Sequence, residues 1–183
     1  MSLLSEPDPT ESQATETVRE VSPQQSDSPD VDHSAAEMLF AEDLSVGDVW
    51  QTPYRRITGQ DVESFADLTG DHTGLHGSEV ASSPFGKPIA HGLLGLSVLA
   101  GLGASHPNAS TLALVSIEDW RFLAPVFFGD SVRARNEISQ ITSHGRRAVK
   151  VRWTRQLLSE EGRVLQEGTF VTLVASRSRQ KPR

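Results

Sequence analysis

The chain has no cysteine among its 183 residues. That absence excludes a disulfide framework, a thiolate metal site and a cysteine nucleophile. Long hydrophobic runs are missing as well. The longest uncharged apolar stretch, Gly92 to Ser105, has 14 residues and four glycines, too short to span a bilayer. The opening Met1-Ser-Leu-Leu-Ser-Glu-Pro has no basic region followed by a long apolar stretch, so no secretory signal is expected. No aromatic residue occurs before Phe40, and residues 1–37 contain one base, Arg19. The same segment holds nine acids (Glu6, Asp8, Glu11, Glu16, Glu20, Asp27, Asp30, Asp32 and Glu37), a net of −8 against −7 for the whole chain, which leaves +1 for the rest. A near-neutral domain behind an acidic segment lacks the basic face that nucleic acid requires. The composition therefore predicts a cytoplasmic chain with no nucleic-acid partner and no membrane span.

What is present divides the chain. The first segment is rich in Ser, Pro, Glu, Asp, Gln and Thr and cannot bury enough apolar surface to offset the entropy of ordering. Residues 1–37 are thus expected to be a disordered acidic tail, residues 38–176 one domain, and residues 177–183 a short basic C-terminal tail. A domain of roughly 140 residues is long enough for a real core.

Val49 to Ile57 reads as a strand, with Pro53 marking an edge or a bulge. Thr58 is a good N-cap and Asp61 follows three residues later, a variant of the capping box. The spacing predicts a helix from Gly59 to about Leu68 with Val62, Phe65 and Ala66 on one face, leaves open whether Leu68 joins them, and places the stop at Gly70. Residues 70–90 carry Gly74, Gly77, Pro84, Gly86 and Pro88. They form a loop with room for one helical turn around Ser78–Ala81, and so long a loop inside a compact domain is usually functional. His91 to about Ser105 is apolar nearly all round, the pattern of a helix buried on most faces. Four strand-like runs follow, about Thr111–Leu123, Ser131–Ile141, Arg146–Leu158 and Arg163–Ala175, with hairpin turns at Phe128-Gly-Asp, Ser143-His-Gly and Ser159-Glu-Glu-Gly. A curved antiparallel sheet around the buried helix, an α+β layer fold, is the simplest way to cover that helix.

Chemistry concentrates in the loop. Asp71 and His76 lie five residues apart, which on an unbroken helix would turn them about 500° and point them in different directions. Glycines at 70, 74 and 77 let them converge, and a carboxylate and an imidazole on one water can serve as base and acid. The plainer alternative is that Asp71 caps a turn and His76 lies on the surface; His72, between them, competes for the role. His91-Gly92 opens the apolar helix, where free N–H groups and the positive dipole end suit a polarised carbonyl oxygen; a cap at His91 and a packing need at Gly92 would explain the same residues. Ser97 lacks a nucleophile elbow, standing in Leu94-Gly95-Leu96-Ser97-Val98, which argues against a Ser-His-Asp hydrolase. His72, His76 and His91 lack the i, i+4 spacing of a helical zinc pair, which argues against a metal.

Phe65-Ala-Asp-Leu-Thr-Gly-Asp71-His-Thr-Gly-Leu-His76, followed by Phe85-Gly-Lys-Pro-Ile-Ala-His91-Gly92-Leu-Leu, resembles the MaoC-like (R)-specific enoyl-CoA hydratases, whose pattern runs F-A-x-x-[ST]-G-D-x-N-P-x-H and then F-G-x-P-I-x-H-G-M. Phe122-Leu-Ala-Pro-Val-Phe-Phe-Gly-Asp130 is similar to the family's R-F-x-x-P-V-x-x-G-D. The likeness covers about Glu42 to Ala175. It implies a single hotdog domain, usually paired into a homodimer, and an acyl-CoA or acyl-carrier-protein thioester as substrate. It implies no cofactor and no metal. Asp71 and His76 would activate a water that adds across the 2,3 double bond of an enoyl thioester. Gly92 would hold the thioester oxygen, with His91, Ser97 and Thr73 as further contacts. The family's Asn-Pro is here Thr73-Gly74, and its Leu-Asp-Pro after the histidine is Gly77-Ser78-Glu79. Two other functions fit the same features: a hotdog acyl-thioesterase, and a non-catalytic acyl-binding or partner subunit.

Overall fold

The computed structural model describes residues 37–77 and 84–177. The turn expected around Ser78–Ala81, nearly all of the acidic tail and residues 178–183 lie outside the described residues. A 3-10 turn at Ala41–Asp43 leads into strands β1 (Val49–Gln51) and β2 (Arg55–Arg56), helices α1 (Gly59–Thr69) and α2 (Gly92–Leu102), then strands β3 (Thr111–Phe122), β4 (Ser131–His144), β5 (Ala148–Ser159) and β6 (Val164–Ala175).

The expected first strand is two strands. Pro53 cannot donate to a ladder, and β1 and β2 pair with β4 on either side of it. Thr52 closes the gap: its N–H donates to the Ala134 carbonyl and its Oγ1 accepts from the Ala134 N–H, both at 3.0 Å. The sheet order is β1-β4-β5-β6-β3, antiparallel throughout, with β2 also on β4. Gly145 and Gly162 have positive φ in the β4–β5 and β5–β6 hairpin turns. Gly129 has positive φ too, but the hairpin expected at Phe128-Gly-Asp is not one. Because β3 pairs with β6 and β4 with β5, this connection crosses between non-neighbouring strands.

Helix α1 forms as its caps dictate. The Asp61 N–H donates to Thr58 Oγ1 at 3.1 Å and the Thr58 N–H to Asp61 Oδ2 at 2.8 Å. Gly70, at φ 79°, ends the helix and donates to the Ala66 carbonyl at 2.7 Å. Val62 and Ala66 are buried, whereas Leu68 is 81% exposed; it lies about 240° round the helix from Val62, off the apolar stripe.

The core fills the space between α2 and the sheet. Val132, Ala134, Asn136 and Ile138 of β4 and Val151, Trp153, Arg155 and Leu157 of β5 are buried at alternate positions. Helix α2 buries Leu94, Gly95, Val98 and Leu99, but Leu93 is 59% exposed and Ser97 is exposed too. Its all-round apolarity is therefore not matched by burial within one chain. Among the described residues no helix is long and apolar enough to cross a membrane.

Candidate active site

Gly70 turns the chain out of α1 and delivers Asp71 to a cleft of about 490 Å³. Val62 and Ala66 of α1, the loop residues Asp71, His72, Thr73 and His76, and Phe128 line it. The third motif supports this loop from behind. The Asp130 carboxylate accepts from the Phe127 N–H at 2.9 Å. The chain it bends then backs residues 89–90: Ile89 bridges Phe127, and the Ala90 N–H donates to the Val126 carbonyl at 2.8 Å. Ile89 in turn fixes His76, whose Nδ1 lies 2.8 Å from the Ile89 carbonyl. A carbonyl only accepts, so Nδ1 carries a proton, and the other nitrogen, Nε2, is the acceptor when the ring is neutral.

His91 is 3% exposed and makes no side-chain cap on α2. Its ring turns back instead. Nε2 donates to the Asp71 carbonyl at 2.9 Å, and the imidazole stacks on His76 with centroids 3.8 Å apart. Phe65 of α1 packs against it at 5.2 Å. Asp71, His76 and His91 thus each bring one donor atom within 4.8 Å of the others, a set able to hold a metal ion. Spacing along one helix does not describe these residues, because they meet across a loop.

Thr73 touches Asp71. Its N–H lies 3.3 Å from Asp71 Oδ1. The Thr73 amide, and then its hydroxyl, hold the Asp71 carboxyl below the ordinary aspartate range; partial burial opposes them, and the His91 and His76 imidazoles add smaller pulls the same way. Thr73→Val keeps the amide and removes the hydroxyl. The Asp71 midpoint, followed by carboxyl-carbon NMR titration, should rise part of the way to its ordinary value. A midpoint that stays put would remove the hydroxyl from this account. A depressed pKa adds stability above the unfolded-state value, and that contribution is lost as pH falls through the folded one. Here it is small, because solvent screens a half-exposed carboxylate.

Asp71, Thr73 and His76 therefore meet in one cleft, and His91 joins them from beneath. Gly92 begins α2 directly after His91, and the Gly95 N–H is the first to bond back within the helix, to the His91 carbonyl at 3.2 Å. The preceding amides have no intrahelical acceptor. Ser97 does not line the cleft; its hydroxyl donates to the Leu93 carbonyl at 2.8 Å on the exposed side of α2. His72 lines the cleft but points outward, 63% exposed and 3.8 Å from Asp67.

A family model described as a MaoC-like domain matches residues 44–160. The chain is 36% identical over 114 residues to 3-hydroxybutyryl-CoA dehydratase of Methylorubrum extorquens, covering 61% of this chain and 71% of that protein. It is 33% identical over 106 residues to the (R)-specific enoyl-CoA hydratase of Aeromonas caviae, covering 56% and 77%. The crystal structure of the MaoC-like dehydratase from Rhodospirillum rubrum superposes with a TM-score of 0.69 at 27% identity over 76% of this chain and 98% of that one. A Mycobacterium tuberculosis protein with a double hotdog fold shares the fold, with a TM-score of 0.64 at 20% identity over 79% of this chain and 46% of the other. With the motif order, the wrapped helix and a family match over more than half its length, the chain belongs to the MaoC-like dehydratase domain family.

Proposed function

We propose that the protein catalyses the reversible hydration of a trans-2-enoyl thioester, and in reverse the dehydration of a 3-hydroxyacyl thioester. The observation that carries this reading is the meeting of the Asp71 carboxylate and the His76 imidazole over one cleft. Asp71, held ionised by Thr73, is an acceptor. His76, with Nδ1–H engaged by Ile89, offers Nε2 as a second acceptor. A water that donates one proton to each has its lone pair turned to the remaining side, toward C3 of a bound enoyl chain. As the C3–O bond forms, the water loses a proton to the dyad, and the dyad returns one to C2, for a net addition of one H₂O. The double-bond electrons pass through an enolate, whose oxygen needs a donor. The Gly92 N–H at the positive end of α2 is the donor in this reading. His91, buried, acts through Asp71. Water is the co-substrate, and the chemistry calls for no cofactor. The names of the Methylorubrum and Aeromonas relatives support a coenzyme A thioester; an acyl carrier protein would present the same bond, and a cytoplasmic location belongs to the same proposal.

An absorbance assay with crotonyl-CoA and longer homologues tests this. Loss of the enoyl-thioester band without release of free thiol is the expected result. Thiol release would make the protein a thioesterase, and neither signal would leave a binding subunit.

The working form in this proposal is a homodimer. Among the described residues, strand β3 is paired only on its β6 side, and Leu112, Leu114, Val115 and Phe122 along it are each at least half exposed. A long apolar edge strand is a ready template for another strand, and exposed Leu93 adds apolar surface on α2. Sedimentation should give twice the 19.9 kDa chain mass, and Leu114→Lys should shift it toward the monomer. A wild-type monomer at micromolar concentration would refute the dimer.

A further inference from the structure

We propose that Gln166 is a positioning residue for the N-terminal end of α2, acting through the Gly92 carbonyl; this rests on the reading of Gly92 as the thioester-oxygen donor. Gln166 lies on β6, 2% exposed, directly opposite Phe122 in the β3–β6 register. Its Nε2 donates to the Gly92 carbonyl at 3.1 Å. The orientation of the amide is settled by its partner, since only a donor can face a carbonyl.

Two glycines seat the helix on this cross-strand pair. A Cβ on Gly92 would lie 3.0 Å from the Phe122 ring, and one on Gly95 would lie 2.3 Å from Gln166 Nε2. Glycine at both positions lets the first turn of α2 sit low on the sheet, within reach of the amide. Gln166 is 74 residues from Gly92 in sequence. By holding the Gly92 carbonyl it fixes the tilt of the first turn, whose amides have no intrahelical acceptor. The carbonyl it holds belongs to the Gly92–Leu93 peptide, so Gln166 acts on the Gly92 N–H of the preceding peptide through the tilt of the turn.

The other end of the amide shows that this arrangement has a cost. Among the described residues, none gives the buried Gln166 Oε1 a hydrogen bond. A buried acceptor left unpaired destabilises the fold, and an apolar side chain of the same size would not. Gln166 is explained by what its donor end does to the helix terminus.

Gln166→Met keeps length and removes the donor. With crotonyl-CoA, kcat should fall about tenfold, the loss of one hydrogen bond felt at the developing charge, while KM stays within about twofold. The melting temperature should hold or rise, and in ¹⁵N–¹H spectra the Gly92 and Leu93 amide signals should move more than those elsewhere on the sheet. Gly95→Ala is the second variant: its methyl takes the place of Nε2, so it should reproduce the kcat loss, and it should add nothing in a Gln166→Ala background. Should Gln166→Met fail to fold, Gly95→Ala decides. Unchanged kcat in a folded variant, or a loss matched by a lower melting temperature, would overturn the proposal. If the wild-type chain hydrates neither crotonyl-CoA nor its longer homologues, the lyase reading fails by itself. The two amide signals then still decide: movement in Gln166→Met supports the anchor, and unmoved signals overturn it.

Discussion

Asp71→Asn and His76→Ala should each lower crotonyl-CoA hydration about 10²–10⁴-fold, the range expected of a positioned acid–base group. Asn keeps the shape of Asp71 and its bond from the Thr73 amide but cannot take the water's proton. Ala removes the Nε2 acceptor and frees the Ile89 carbonyl. If the two side chains hold one water, they act as a unit, and members of a unit are strongly non-additive. The double variant should then be little worse than the poorer single one. Melting temperatures should barely move, since neither side chain belongs to the apolar core. His72→Ala is the control. It lines the same cleft but faces outward onto Asp67, and it should retain most activity. A His72→Ala variant without turnover, beside an active His76→Ala, would mean the roles are assigned to the wrong histidine. If neither Asp71→Asn nor His76→Ala changes the rate, the hydration mechanism fails.

The largest effect on stability should come from Trp153→Ala. Trp153 is 1% exposed, on the core face of β5, with its ring 6.1 Å from that of Trp50. Its Nε1 donates to Thr172 Oγ1 at 2.9 Å, in a pair that is itself buried. Deleting a large aromatic from a packed core costs about 3–5 kcal/mol, because the cavity left behind closes only in part. Against a typical total of about 5–15 kcal/mol, that is enough to bring the chain near its unfolding midpoint. Urea unfolding should show the midpoint falling sharply while the slope is kept. Trp153→Phe retains most of the ring and loses the donor to Thr172, so it should fall between the two, by about 1–3 kcal/mol. A Trp153→Ala chain with an unshifted midpoint would mean that the β5 face is not the packed core described above.

Local rules carried much of this architecture. Thr58, Asp61 and Gly70 mark both ends of α1 within a dozen residues, and the structure ends the helix there. Buried residues alternate along β4 and much of β5, because a strand's two faces are set by its own pleat. The turn at Gly129 joins strands that do not pair, whereas the glycines after His144 and Glu161 stand at positive φ in the hairpin turns where they were expected. Each of these depends on neighbours a few residues away, so the order of residues alone is sufficient to read it.

What the order of residues could not decide was which distant groups meet, and in which direction. Asp71 and His76 were legible as a pair, because their glycine-rich spacing and the motif around them point to one loop. The position of His91 beneath them was not. As a residue opening a helix it is expected to cap it, yet its ring bonds the Asp71 carbonyl 20 residues back. Only the packing of α1, the loop and α2 against one another selects that rotamer, and Phe65 and His76 close the space around it. Gln166 is a further case. Read along β6 it is one of two adjacent polar residues, Gln166 and Glu167, and its partner appears only when the sheet brings it under Gly92. The apolar surface of α2 and β3 made the opposite error possible. A hydrophobic pattern records that a face avoids water, but not what covers it, and Leu93 and Leu114 remain exposed on a single chain. Composition and short-range pattern determined the elements, because backbone dihedrals and turn chemistry are local. Side-chain direction, and the partners reached across the sheet, were decided by tertiary packing, because a contact between residues far apart in the chain is a property of the assembled layers and of no segment alone.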